Sequence, residues 1–190
     1  MLKLKTMKFI KYIMSDYVKY SKYGSFFFTI IFLTQGFWAL FQYRIASAVY
    51  YSIKNRFFRI IIMIPFLLWQ KIIEVLTGIS IPASVKIGHS FYIGHFGGII
   101  INAKTIIGNN CNISQGVTIG VSGLGERRGT PIIGDNVYIG ANAVVAGNFR
   151  VGNNVLIAAC SLVNREVPDN SVVSGVPSKI ISVRSSEGYI

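Results

Sequence analysis

Between residues 81 and 163, aliphatic side chains recur at a fixed interval. They fall at Ile81, Ile87 and Ile93, at Ile101, Ile107, Ile113 and Ile119, and at Ile133, Ile139, Val145, Val151, Ile157 and Val163. Every step is six except two: eight residues separate Ile93 from Ile101, and fourteen separate Ile119 from Ile133. A small or modest residue usually sits four places after the aliphatic, as at Val85, Thr105, Cys111, Val117, Val137, Ala143, Val155 and Ser161. Neither the 3.6-residue period of a helix nor the two-residue period of a strand accounts for six. A short strand followed by a tight turn does, with three such units per coil of a parallel β-helix. The aliphatic then points into the prism and the small residue packs beside it. Gly, or an Asn-Asn pair such as Asn109-Asn110 or Asn153-Asn154, takes the positive-φ turn.

Outside the repeat the pattern changes. Residues 1–25 alternate Lys with aromatic and aliphatic residues and lack the cleavage site of a signal peptide. Two apolar runs follow. Phe26–Phe41 is interrupted by Thr29, Thr34, Gln35 and Gly36, and Phe57–Trp69 contains Arg59 and Pro65. Neither run reaches the roughly 18 to 20 clean apolar residues of a spanning helix. Two readings stand for this segment: a small helical cap packed on the β-helix or between subunits, or a peripheral membrane segment with Lys and Arg at the headgroups. Three parts are expected: a basic, aromatic-rich helical segment over 1–78, the β-helix over 79–167 with a protruding loop at 121–131, and a C-terminal strand and tail over 168–190.

Charge sharpens this division. The chain of 190 residues carries +12, and residues 1–78 hold eleven Lys and Arg against Asp16 and Glu74 alone. No nucleic-acid motif accompanies that bias, so nucleic acid is not an expected partner. Cys111 and Cys160 both read as buried structural thiols at or beside inward positions, with a reducing cytoplasm as the fitting compartment. No cluster of His, Cys and Asp has metal-ligand spacing, so no metal is expected.

Chemistry is expected where the repeat is broken. His95 sits in the first irregular step, at His95-Phe96-Gly97-Gly98, whereas His89 has no such irregularity and reads as structural. An imidazole titrating near neutrality can accept a hydroxyl proton at working pH. The loop that fills the second irregular step, VSGLGERRGTP, cannot sit inside a prism, and a loop on a rigid scaffold is a natural place for a functional contact.

From Gly78 to Ile181 the chain resembles the left-handed β-helix acyltransferases, most closely the serine acetyltransferase branch. The stretches GISIPASVKIG, YIGHFGGIIIN, ISQGVTIG, IGDNVYIGANAVVAG and SGVPSKII carry the resemblance. It implies a left-handed parallel β-helix and a homotrimer with active sites between subunits. It also implies acetyl-CoA as acyl donor and His95 as general base. The pantetheine groove would run past Gly120, Ala141 and Ala159, with the Gly120 turn stabilising the oxyanion, and Lys179, with Arg184, would meet the CoA phosphates. In the family an acidic residue precedes the catalytic histidine, where Gly94 stands here. A second aspartate lies in the coil before, where this chain reads Ser80-Ile81-Pro82-Ala83. An Arg-His pair precedes the loop's exit proline, where this chain has Gly129-Thr130.

Those groups hold the ammonium and carboxylate of free serine. Their replacement, with the basic N-terminus, points to a different alcohol: a sugar hydroxyl in surface-polysaccharide biosynthesis, as in the short serine-acetyltransferase-like proteins of capsule and O-antigen synthesis. Asn102 or a backbone carbonyl would then orient His95, and Glu126, Arg127 and Arg128 on the loop would touch acceptor or cofactor. The alternatives are a serine O-acetyltransferase that binds its amino acid with other residues, and a non-catalytic trimeric scaffold.

Overall fold

The computed structural model describes residues 2–125 and 128–190, with side chains from residue 9 onward; Glu126 and Arg127 lie outside the described residues. Four helices, α1 (Leu2–Lys22), α2 (Phe27–Leu33), α3 (Gln35–Ser52) and α4 (Arg56–Thr77), precede a stack of short strands that begins at Ile79. The strands form three sheets. The first contains Ile79–Ser80, Ile99–Ile101, Thr118–Gly120, Val144–Ala146 and Leu162–Val163; the second contains Lys86–Ile87, Ile106–Ile107, Ile132–Ile133 and Arg150–Val151. The third contains Tyr92–Ile93, Asn112–Ile113, Tyr138–Ile139, Leu156–Ile157, Val172–Ser174 and Lys179–Ser182. Up to Leu162–Val163 successive strands of the chain fall in successive sheets, and the strands pair in parallel except for the last one. This is the three-sided β-helix that a period of six dictates. All thirteen repeat aliphatics are buried along the prism axis. The stack also runs past residue 167, because Val172–Val173 pairs in parallel with Leu156–Ile157.

The turns bear out the expectation for Asn and give Gly different work. Gly88, Gly108, Gly134 and Gly152, directly after the aliphatic, are not in the left-handed region; they are required because neighbouring coils touch there. A Cβ on Gly108 would lie 2.5 Å from the Gly134 carbonyl oxygen, and one on Gly88 would lie 2.5 Å from that of Gly108. The left-handed conformation falls two residues later, at Ser90, Asn110, Asn136, Asn154 and Asn170, with φ near +55° to +58°. Asn tolerates that region because its short amide bonds locally. Here the amides also bond from coil to coil: Asn110 donates to Asn136 at 2.8 Å, Asn136 to Asn154 at 2.9 Å, and Asn154 to Asn170 at 2.9 Å.

The two thiols also part company. Cys111 is buried, and burial pushes its thiol up to about 12. Cys160 corrects the expectation of a second buried thiol. It occupies a left-handed corner position with φ +58°, where the side chain points outward, and it is exposed.

The helices close the open edge of the first coil. An unpaired strand edge presents bare N–H and C=O groups, and side chains satisfy them here. The Tyr20 hydroxyl donates to the Ile93 carbonyl and accepts from the Ile93 N–H, both at 3.1 Å. The Tyr43 hydroxyl donates to the Val85 carbonyl at 2.9 Å and accepts from the Ile87 N–H at 3.2 Å. Arg44 donates to the carbonyls of Ile87 and Gly88 and to both carboxylate oxygens of Asp16, which also accepts from the Phe91 N–H. Burial raises the Asp16 carboxyl above its ordinary range, and the Arg44 guanidinium pulls it back part of the way.

Helix α4 differs from the expectation drawn from its sequence. Asn55 caps its start by accepting from Phe57 and Phe58, and Gly78 ends it in the left-handed region. It runs through Pro65 for 22 residues, and among the described residues it is the one helix long and apolar enough, by length and composition, to cross a membrane. The C-terminal tail turns back along the third sheet. The Ser186 N–H bonds the Asn154 carbonyl, and the Tyr189 carbonyl accepts from the Asn112 amide.

Candidate active site

The first irregular step is a bulge made by the histidine itself. Ahead of it, the Gly94 N–H bonds the Ile113 carbonyl, which keeps Gly94 level with Ser114 of the next coil. Behind it, the Gly116 N–H bonds the Gly97 carbonyl, as Asn142 bonds Gln115 and Cys160 bonds Ala141. Gly97 is therefore the counterpart of Gln115, and His95 and Phe96 are the two residues added to the repeat. They protrude where the third sheet turns into the first, and both are exposed. The chain re-enters register through Gly97 and Gly98, at φ +99° and +66°. The Gly97 N–H donates to the Thr77 carbonyl at 2.9 Å, and a Cβ on Gly78 would meet Gly97 Cα at 3.0 Å. The bulge thus rests on the end of α4, and glycine is needed at both faces of that approach.

Below His95 the same edge carries a column of modest side chains: Gly97, Gln115, Ala141 and Ala159, one per coil. Coils spaced like adjacent strands, about 4.8 Å apart, make this column roughly 14 Å long. Ala141 is half-buried and Ala159 is exposed, so the column is open to solvent. Lys179 pairs with Ser174 at the far end of the same edge and is exposed, as is Arg184. The structure therefore gathers His95, Ala141, Ala159 and Lys179 along one line.

It separates the remaining candidates from that line. Asn102 and Gly120 are level with each other on the edge between the first and second sheets, where the Asn102 N–H bonds the Ile119 carbonyl. About four extended residues, roughly 13 Å, lie between the two edges. The Asn102 side chain accepts from the Lys104 N–H at 3.0 Å and so caps its own turn. Within one chain it does not reach His95. The loop over 121–131 leaves from this second edge. Ser122 and Gly129 exchange backbone hydrogen bonds at its base, Leu124 is exposed near its tip, and Arg128 is exposed. His89 lies at a third edge, 3.1 Å from the Ser90 hydroxyl, and serves the corner.

Among the described residues no side chain bonds the His95 ring, so its nitrogens are open to a ligand or to another chain. Among the described residues no group of three His, Cys, Asp or Glu side chains comes together to hold a metal. An exposed imidazole at the head of a shallow, small-residue groove with a terminal lysine suits proton transfer beside a long, thin, anionic ligand. The split between edges was countable in the sequence. The extra two residues fall after the third unit of a coil, and the extra eight fall after the first.

Residues 130–165 match the family model described as bacterial transferase hexapeptide (six repeats). The serine acetyltransferase of Synechococcus elongatus is 37% identical over 146 residues, covering 77% of this chain and 57% of that protein. The serine acetyltransferase of Bacillus subtilis is 34% identical over 155 residues, covering 82% of this chain and 68% of that protein. The crystal structure of Neisseria gonorrhoeae serine acetyltransferase in complex with serine superposes with a TM-score of 0.78 at 30% identity, covering 94% of this chain and 71% of that one. A serine acetyltransferase in complex with CoA gives a TM-score of 0.78 at 27% identity, covering 95% and 72%. The chain thus spans between about half and two thirds of the curated relatives it matches.

Proposed function

This chain belongs to the serine acetyltransferase family of left-handed, hexapeptide-repeat β-helices, and we propose that it transfers the acetyl group of acetyl-CoA to the hydroxyl of L-serine. The observation that carries this reading is the likeness at 34% identity to a serine acetyltransferase over 68% of its length. It corrects the sugar acceptor and the polysaccharide role expected from the sequence. Those rested on the basic N-terminus and on a few charge partners replaced by Gly94, the Ser80–Ala83 stretch and Gly129-Thr130, whereas the likeness covers 82% of this chain.

His95 Nε2 or Nδ1 takes the serine hydroxyl proton as the oxygen attacks the thioester carbonyl. The tetrahedral intermediate collapses with loss of the CoA thiolate, which recovers the proton from the imidazolium. The column Gly97, Gln115, Ala141 and Ala159 lets the pantetheine arm lie against the edge, and Lys179 stands where phosphates would follow. Arg184 lies across the third sheet, beside Ser185, whose N–H bonds the Asn170 carbonyl at the His89 corner. The candidates on the second edge join the site through a neighbouring subunit. In a homotrimer the edge bearing Gly120 and the 121–131 loop of one chain would face the His95 edge of the next. Ile100, exposed on the sheet between those edges, is a natural part of the surface so covered. Arg128 then offers a guanidinium to the serine carboxylate, in place of the residues absent before Pro131.

Incubation of the full chain with acetyl-CoA and L-serine, followed by mass spectrometry, tests this. O-acetylserine formed in step with CoA release is the expected result. CoA release confined to carbohydrate acceptors would overturn it.

A further inference from the structure

Helix α4 presents its side chains the wrong way round for a water-soluble surface helix. Its buried stripe, Met63, Gln70, Ile73 and Thr77, faces α3 and the first coil and includes two polar residues. Its outward positions are apolar: Phe57, Ile61, Ile64, Leu68 and Val75 are exposed, Leu68 at 63% and Val75 at 85%. Helix α2 continues the face with Phe28, Phe32 and Leu33, all exposed. The two helices share the rim of an apolar cavity of about 510 Å³ lined by Phe27, Ile31, Trp38, Trp69 and Ile73. Exposed apolar side chains gathered on two helices around one apolar cavity mark an interaction site.

Charge indicates what covers it. Residues 1–78 hold eleven cations and two acids. Asp16 is buried against Arg44, and Glu74 is bonded by Lys71, Gln70 and Ser80. Lys11, Lys22, Lys54 and Arg56 remain exposed with no carboxylate of this segment free to oppose them. A symmetric contact with a second copy would set this basic segment against itself. An anionic lipid surface would complement it, since negative headgroups attract Lys and Arg held near the surface. Spanning is disfavoured by attachment. Gln42 bonds the Phe66 carbonyl at 3.3 Å, and the Thr77 carbonyl accepts from the Gly97 N–H, so the helix is fastened along its inner stripe to polar backbone that lipid cannot hold.

We propose that the face formed by α2 and α4 docks on an anionic membrane surface, with α4 lying in the headgroup plane and the β-helix projecting into water. This does not depend on the identity of the acetyl acceptor. Flotation of the full chain with phosphatidylcholine vesicles, alone or mixed with phosphatidylglycerol, tests it. The expected result is about fivefold or greater enrichment on the anionic vesicles at low salt. The double variant Phe57→Ser/Leu68→Gln should float poorly with both vesicle types, and Lys54→Gln/Arg56→Gln should lose the anionic preference. Each variant should melt as the parent does. Equal flotation of parent and variants would overturn the proposal. So would vesicle-free sedimentation in which the apolar face joins copies of the chain and Phe57→Ser/Leu68→Gln separates them.

Discussion

In the coils, all thirteen repeat aliphatics are buried. In α4, an equally aliphatic stretch, most apolar side chains face outward while Gln70 and Thr77 face inward. Both regions are rich in Ile, so aliphatic content alone does not tell a buried stretch from an exposed one. Periodicity does. A repeat of six forces each aliphatic to one side of a closed prism, whereas the 3.6-residue turn of α4 spreads its apolar residues around the whole helix. Burial in the first region is a property of the chain; in the second it depends on what lies outside it.

The joint between the two regions is where the largest loss of stability is expected. Arg44 bonds Asp16 and the carbonyls of Ile87 and Gly88 while itself 4% exposed. Arg44→Ala leaves a buried carboxylate unpaired and should cost about 3–5 kcal/mol in chemical denaturation. The coils come next. Gly108→Ala drives a Cβ against the Gly134 carbonyl and should cost about 1–3 kcal/mol. Leu68→Gln on the outer face of α4 should stay within about 0.5 kcal/mol in vesicle-free buffer. A large loss there would mean that α4 is buried after all. On the groove edge, Ala159→Trp should raise the KM for acetyl-CoA about tenfold with melting unchanged, since it fills open space and not the prism.

The smallest effect is a pH dependence at the joint. Burial lowers Lys19 from its ordinary value to about 8, where it lies against Asn110. Between about 8 and 10.5 the unfolded chain binds that proton more tightly than the folded one, so this group's destabilisation is full below pH 8 and is relieved as pH rises. Lys19→Met should remove that rise. The comparison is the difference in melting temperature between parent and variant at pH 7 and pH 9.5, which should narrow at the higher pH.

Most of the fold was legible because a solenoid repeats one local decision. Ile81 to Val163 announced the prism, and α4 ends at Thr77 with Gly78 as its left-handed cap, where the rhythm of six is about to begin. Other features needed three dimensions. The glycines after each aliphatic looked like turn residues, but their constraint comes from the coil above, which no local window contains. Cys160 looked buried because it adjoins an inward position, yet the corner turns it out. The apolar run of α4 seemed to end at Trp69, because Pro65 and Arg59 broke the count before the helix itself ended. In the candidate site, His95 was legible as a break in the rhythm. The placement of Asn102 and the loop on another edge became clear only once each irregular step was assigned to a side of the prism. The acceptor was the least legible of all. The residues that the family resemblance expects around serine's charges are absent from this chain and so from every copy of it. In the proposed site between copies a different group, Arg128, takes their place, and no single-chain reading puts it beside His95.

The central claim is that His95 supplies the base on a groove that holds acetyl-CoA without it. The most direct test measures turnover with L-serine and acetyl-CoA affinity side by side for the parent and His95→Ala. A fall in kcat of about 100-fold or more, with the acetyl-CoA dissociation constant unchanged within about twofold, is the predicted result. Undiminished turnover in His95→Ala would contradict it.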